Sequence, residues 1–415
     1  MYKIHYIVFS LITLLAVSCR QGEVEYVDFD TFHPMSIVES NVIGEDGCLN
    51  PLIKVPELAE DDTIHTVKRI ASTSMNDMAR DILGSIHCNS VIQIAGTFVG
   101  HDLDGSPLLQ SGKLLLPKTG SIKRVLWISH YTIGANHEAP SETFPFEGIL
   151  AAKGYAVVMA DYIGYGITCK RIHPYLHAES TAQSVVDMGM AVMPYLEYIG
   201  RKPEHDEVIL MGYSQGGAVT MAVMRMLEQD NSYGLPVAHV YAGAGPYDMA
   251  KTFDYSVQMD KTGIPCAVPM IVQGMNIGEN LRLSMEKFFV PGMWDLCREA
   301  VNSKRYTVQQ INRKIGVNEV SKILSAYGRD KRNSETERLY RAMSLNSVLD
   351  FKPHAPLFMF HSMDDGTVPF VNSQAAEKTF KGCNVQYDFG HYGAHVNGFL
   401  RFFGTVSDKL DELDK

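Results

Sequence analysis

The apolar run Val208-Ile209-Leu210-Met211, followed directly by Gly212-Tyr213-Ser214-Gln215-Gly216-Gly217, constrains this chain more than any other stretch. The apolar run suits a buried parallel strand. Ala218 to Leu227 lacks breakers and is rich in helix formers, so the serine falls at a strand-to-helix junction. A sharp turn at that point lifts the Ser214 hydroxyl into a cleft. It also crowds the backbone, so that a side chain at position 212 or 216 would strike the neighbouring strand or helix. Taken alone, such glycines also suit a plain surface turn; the flanking strand and helix are what point to a nucleophile and to covalent hydrolysis.

A serine hydroxyl attacks poorly at neutral pH and needs a base that is itself oriented by an acid. The C-terminal quarter offers both. Pro356 to His361 reads as a buried strand and runs into a turn holding Asp364 and Asp365, and strand-end loops are where α/β sheets keep their chemistry. Aspartates also cap such turns through side-chain to backbone bonds. After a further strand-like stretch, 384–389, come His391 and His395, then the amphipathic run Phe399, Leu400, Phe402, Phe403, Val406 and Leu410. His395, immediately before the helical pattern, has the better reach for the base, with His391 and Asp364 as alternates. Either histidine also suits a structural role, bonding to loop carbonyls. The order Ser214, Asp365, His395 is that of α/β-hydrolases rather than of chymotrypsin-like or subtilisin-like proteases.

Strand patterns at 125–129, 156–160, 207–211, 238–243, 356–361 and 384–389 alternate with helical segments, which predicts a mostly parallel central sheet flanked by helices. Between Asp248 and the Asp365 strand there is little strand character. Helical stretches at 280–290, 306–315, 319–327 and 335–343 mark an inserted helical cap. The expected divisions are a signal peptide over 1–18, an N-terminal tether and helical extension over 19–90, core over 91–247, cap over 248–349 and core again over 350–415.

Gly212 to Gly217, the stretch Val157 to Gly166, and Ala182-Gln183-Ser184-Val185-Val186-Asp187 together resemble secretory lipases of the Candida antarctica lipase A type. Thr97, Gly105, Pro107, Ser111-Gly112 and Pro117 are similar to the hairpin pattern of that family. The resemblance covers roughly 92–247 and 356–403. It implies an α/β-hydrolase fold, ester hydrolysis, and a triad of Ser214, Asp365 and His395; Asp365 stands four residues before Pro369, as the acid does in such enzymes. It further implies an oxyanion hole from the amides of Gln215 and Thr132, on the turn His130-Tyr131-Thr132-Ile133-Gly134, where Tyr131 replaces the usual glycine. Tyr131 and Tyr213 are candidate substrate contacts. So are Met285 and Phe288, in the half of the cap rich in methionine and aromatic residues, although such side chains at helical spacing commonly pack within their own domain.

The substrate expected is therefore a small-molecule or lipid ester. A serine peptidase of the same fold and a catalytically silent surface-binding lipoprotein stand as alternatives. The chemistry requires no metal or organic cofactor. His173, His177, Glu179 and Asp187 lie close in sequence, but Pro174 argues against the helix that would put both histidines on one face, and they are read as non-ligands. Asp161 and Tyr162 are expected to brace the loops of the site. With 46% hydrophobic and 20% charged residues over 415 positions, the chain can bury a large core, and a net charge of −10 argues against nucleic acid as an electrostatic partner.

The first residues read as a targeting segment: Lys3, the apolar stretch Ile7 to Val17, and Ala16-Val17-Ser18-Cys19, which resembles a bacterial lipobox. Cys19 would then carry the lipid that anchors the protein in the cell envelope, and 20–31 would be a tether; an ordinary signal peptide with an incidental cysteine is the plainer reading. Cys48, Cys88, Cys169, Cys266, Cys297 and Cys383 remain in the mature chain. Oxidising surroundings permit a Cys266–Cys297 staple in the cap, and buried free thiols are equally open.

Overall fold

The computed structural model describes residues 31–44, 49–54 and 88–414. The signal peptide, Cys19 and Cys48 lie outside the described residues. The strands of the central sheet are β1 (His33–Asn41), β2 (Ser90–His101), β3 (Pro107–Pro117), β4 (Val125–Ser129), β5 (Ala156–Ala160), β6 (Val208–Tyr213), β7 (Val237–Gly243), β8 (Leu357–Ser362) and β9 (Val385–Gly390). They form one nine-stranded sheet in the order β1-β2-β3-β5-β4-β6-β7-β8-β9. From β5 to β9 every neighbour is parallel, and β1, β2 and β3 add an antiparallel edge. This is the mostly parallel, helix-flanked sheet that the strand spacing predicts.

Alternation along the strands sorts side chains to two faces. Val208, Leu210, Val125 and Trp127 pack on the face covered by α1 (Ala178–Tyr198) and α2 (Gln215–Gln229). Ile209, Met211, Leu126 and Ile128 pack on the other, beneath Phe399, Phe402, Phe403, Val406 and Leu410 of the last helix, His395–Leu413. In the hairpin, Thr97 pairs with Ser111, and Gly105 turns the chain with φ 79° just before Pro107.

One expectation needs correction. Residues 33–41, assigned to a tether and helical extension, form the edge strand β1, in register with β2 from His33 opposite Thr97 to Asn41 opposite Ser90. Its side chains are mostly exposed, so no buried stripe announces it; the free edge of β2 supplies the hydrogen bonds that hold it.

The insertion between β7 and β8 is helical, as expected. Its main helices are α3 (Met249–Met259), α4 (Ala267–Gly278), α5 (Met293–Asn302), α6 (Val308–Ile315) and α7 (Ser334–Leu345). The helix expected over 280–290 shrinks to Met285–Phe288, because Asn280 and Arg282 adopt left-handed backbone with φ 48° and 56°. The stretch over 319–327 splits into Val320–Ile323 and Ala326–Arg329, with Ser325 capping the second piece. Cys266 and Cys297 are free and buried in the cap core, so the second of the two readings for them applies. No helix among the described residues is long and apolar enough to cross a membrane.

The C-terminal helix is the fold's second anchor for the site, since its first residue is His395. Lys153 donates to Ser407 Oγ (2.6 Å) and pairs with Asp411 (2.8 Å), and Arg124 pairs with Asp414 (3.2 Å). Phe402 is fully buried, with ring centroids 5.5 Å from Tyr213 and 5.8 Å from Phe360. Phe402→Ala is expected to lower the unfolding free energy by about 3–5 kcal/mol, through lost burial and the cavity left behind. Urea titration should show a lower midpoint with an unchanged slope.

Candidate active site

β6 delivers Ser214, and α2 starts at Gln215. Ser214 takes φ 60° and ψ −126°, a strained conformation for a residue with a side chain, fixed by its amide donating to Gly243 O (2.9 Å) and its carbonyl accepting from Gly217 N (2.9 Å). Two glycines make the turn possible. A Cβ on Gly212 would land on the Gly216 carbonyl and 2.5 Å from Thr220 Oγ1; one on Gly216 would land on the Ser129 carbonyl. The elbow is therefore wedged between the end of β4 and the first turn of α2. Ser214 is 6% exposed.

Asp365 lies in the turn after β8. Its Oδ1 accepts from the amides of Thr367 and Val368, both at 2.9 Å, and its Oδ2 lies 2.5 Å from His395 Nδ1. His361, to which the sequence analysis assigned no role, backs the same carboxylate. Its Nε2 is 3.4 Å from Asp365 Oδ2 and 3.0 Å from Val368 O, and its Nδ1 is 2.6 Å from Ser373 Oγ. The signal available was a histidine ending an apolar strand four residues before the aspartate. Burial works to raise the Asp365 carboxyl, but the facing His395 and His361 outweigh it and hold the group well below the usual carboxylate range.

His395 is buried, and its Nε2 makes no hydrogen bond among the described residues. Tyr213 ties it to the elbow: the phenol donates to His395 O (2.9 Å), and the two rings lie 4.9 Å apart. Tyr213, expected as a substrate contact, is buried in the core cluster beneath the last helix. It points to the face opposite its neighbour Ser214 and supports the imidazole from the core side. The alternates Asp364 and His391 also meet, Oδ1 to Nδ1 at 2.7 Å, but at the surface, with side chains 42% and 75% exposed. Of these two candidate pairs, Asp365–His395 is buried beside the elbow and Asp364–His391 lies in solvent.

On the other side of Ser214 the turn after β4 packs against α2. His130 is stacked on Tyr162 at 4.0 Å, with Nδ1 2.7 Å from Tyr131 O, and burial pushes it down to about 4, so it is neutral near pH 7. Thr132 Oγ1 is 2.8 Å from Tyr175 OH. Gln215, as the first residue of α2, has an amide with no intrahelical partner by the geometry of a helix start. Asp161 accepts from Ser111 Oγ (2.5 Å) and Ser141 N (2.8 Å), which makes it the brace expected of it. Tyr131 packs with Ile133, Ala139 and Tyr165, keeping a small exposed edge.

Met285 and Phe288, expected to contact substrate, sit instead in the cap's own apolar cluster; Phe288 is fully buried and meets Tyr327 edge-on at 5.7 Å. His177 caps α1 and pairs with Glu279 (3.4 Å), while Asp187 binds His101 (3.0 Å), so neither is free for a metal. No cluster of His, Cys, Asp or Glu suited to one occurs among the described residues.

A mostly parallel sheet, a strained serine at a strand-to-helix elbow, and an acid–imidazole pair carried on the loops after the last two strands define an α/β-hydrolase. The chain belongs to the secretory lipase family, whose model matches residues 140–398. Among curated proteins no sequence matches it. Solved structures share the fold. The rice cell wall degrading esterase LipA from Xanthomonas oryzae aligns with a TM-score of 0.68 at 23% identity, over 80% of this chain and 92% of that one. A putative hydrolase from Legionella pneumophila gives 0.71 at 20%, over 82% and 95%. Candida antarctica lipase A in its closed state gives 0.57 at 15%, over 76% and 75%.

The depressed Asp365 carboxyl carries a stability consequence. Its stabilising effect is present above the unfolded carboxyl's value near 3.9 and drains away as pH falls from there toward the lower folded value. The difference in unfolding free energy between wild type and Asp365→Asn is expected to narrow as pH falls below about 4. Denaturant titrations across that range measure it, and a gap that widens on acidification would contradict the assignment.

Proposed function

We propose that the protein is a serine hydrolase cleaving carboxylic esters through an acyl-enzyme on Ser214. His395 Nε2 takes the Ser214 proton as Oγ attacks the ester carbonyl, and Asp365 holds the imidazole by Nδ1 and offsets its developing charge. The tetrahedral oxyanion is bound by the amides of Gln215 and Thr132, each lowering the barrier by roughly 3 kcal/mol. Collapse expels the alcohol, which receives the proton from His395. Water, deprotonated by the same imidazole, then attacks the acyl-enzyme, and the acid leaves with Ser214 restored.

The observation that carries this reading is the 2.5 Å Asp365–His395 bond, buried and fastened to Tyr213, the residue that precedes Ser214. The exposed Asp364–His391 pair has no such link among its hydrogen bonds, which favours Asp365 and His395 as the working pair. Membership of the secretory lipase family supports esters of fatty or other carboxylic acids as substrates. The Xanthomonas neighbour, described as an esterase that degrades rice cell wall, supports an ester reading over an amide one. We infer export as well, from the family and from the leader over 1–18, with Cys19 as the anchored residue.

A fluorophosphonate probe tests the mechanism. Wild type is expected to take up one probe at Ser214, seen by intact mass and peptide mapping, and Ser214→Ala none. Nitrophenyl acyl esters should be hydrolysed and the matching aminoacyl amides left intact. Undiminished labelling of Ser214→Ala, or amide cleavage exceeding ester cleavage, would defeat the reading.

A further inference from the structure

The loop carrying His173, Pro174 and Tyr175 touches the residues of both proposed oxyanion donors, and neither contact takes part in the acyl-transfer cycle itself. Gln215 Nε2 lies 3.0 Å from His173 Nε2, and His173 Nδ1 lies 2.7 Å from Ile163 O. A carbonyl only accepts, so Nδ1 must carry the ring proton and donate to Ile163. That leaves His173 Nε2 as an acceptor, and the Gln215 amide must present its NH2 group to it. The two bonds fix each other's polarity. Burial first, with Lys304 adding to it, keeps the imidazole well below its ordinary range, which preserves this neutral form. The ring is also held sterically, stacked on Tyr162 at 6.0 Å with an 8° tilt and against Tyr165 at 5.0 Å.

Two residues further on, a 2.8 Å hydrogen bond joins Tyr175 OH to Thr132 Oγ1, both buried. The cap seats on this point, since a Cβ on Gly274 of α4 would come 2.6 Å from Tyr175 N. One short loop therefore grips α2 through Gln215 and the post-β4 turn through Thr132, while the cap helix presses on its backbone.

We propose that His173 and Tyr175 are positioning residues for the oxyanion hole. His173 fixes the helix-side donor through the Gln215 side chain, and Tyr175 fixes the loop-side donor through the Thr132 hydroxyl. The proposal rests on the hydrolase reading above. Oxyanion donors act only when aimed at the charge that develops in the transition state, so a small displacement of either amide costs rate rather than ground-state binding.

The test measures kcat per active site, titrated with fluorophosphonate, together with KM and inhibition by an alkylboronic acid, whose tetrahedral adduct places an oxygen in the same hole. Tyr175→Phe and His173→Leu are each expected to lose about tenfold or more in kcat, with KM within about twofold, and the boronate should weaken by the same factor. His173→Gln, which restores an acceptor toward Gln215, should recover most of the loss. Tyr175→Phe keeps the ring and its packing, so it carries the test if His173→Leu fails to fold. Labelled enzyme with unchanged kcat in Tyr175→Phe, or a loss confined to KM, would overturn the positioning role alone. Wild type that takes no label would overturn the hydrolase reading and this proposal together.

Discussion

The wedge between the Ser129 carbonyl and Gly216 governs this molecule. β4 and α2 approach so closely at that point that no side chain fits, and the chain between β6 and α2 must turn within one residue. Ser214 absorbs the turn with a left-handed φ of 60° and a conformation that a surface loop would relax. The strain is offset by parallel pairing of β6 on both sides, from Val208 opposite Val125 to Tyr213 opposite Gly243. A sheet buried on both faces is what can hold a serine in that posture.

The same wedge brings together elements remote in sequence. The post-β4 turn lies against the start of α2, with the Ser129 and His130 carbonyls facing Gly216; because Tyr213 points to the opposite face, its phenol reaches the first residue of the C-terminal helix. The helix is in turn held by Phe402 and Phe403 against the sheet and by Lys153 and Arg124 at its far end. Asp365 completes the arrangement from the β8 turn, where two backbone amides and His361 leave the carboxylate a single orientation.

Much of this was legible in the sequence wherever burial is complete. The core strands announce themselves as short apolar runs because both faces are covered, and the elbow because its glycines are sterically required. Edge strand β1 was not legible, since His33-Pro34-Met35-Ser36-Ile37-Val38-Glu39-Ser40-Asn41 is mostly exposed and owes its form to the unpaired edge of β2. Cap helix α4 was not among the expected helical stretches; it carries Pro269 in its first turn and Gly274 where it packs against the backbone of Tyr175. Tyr213, Met285 and Phe288 looked like substrate contacts by residue type, and only the direction of each side chain reveals packing. His173 was weighed only as a metal ligand and set aside, while His361 and Tyr175 drew no notice. Their importance lies in contacts over sequence distances that no local pattern encodes.

The most direct measurement of the central claim is a crystal structure of the enzyme inactivated by an alkylphosphonate. Phosphorus should be bonded to Ser214 Oγ, with its free oxygen about 3 Å from the amides of both Gln215 and Thr132 and with His395 Nε2 facing the adduct. Phosphorus on any other residue, or a free oxygen that reaches neither amide, would contradict the account.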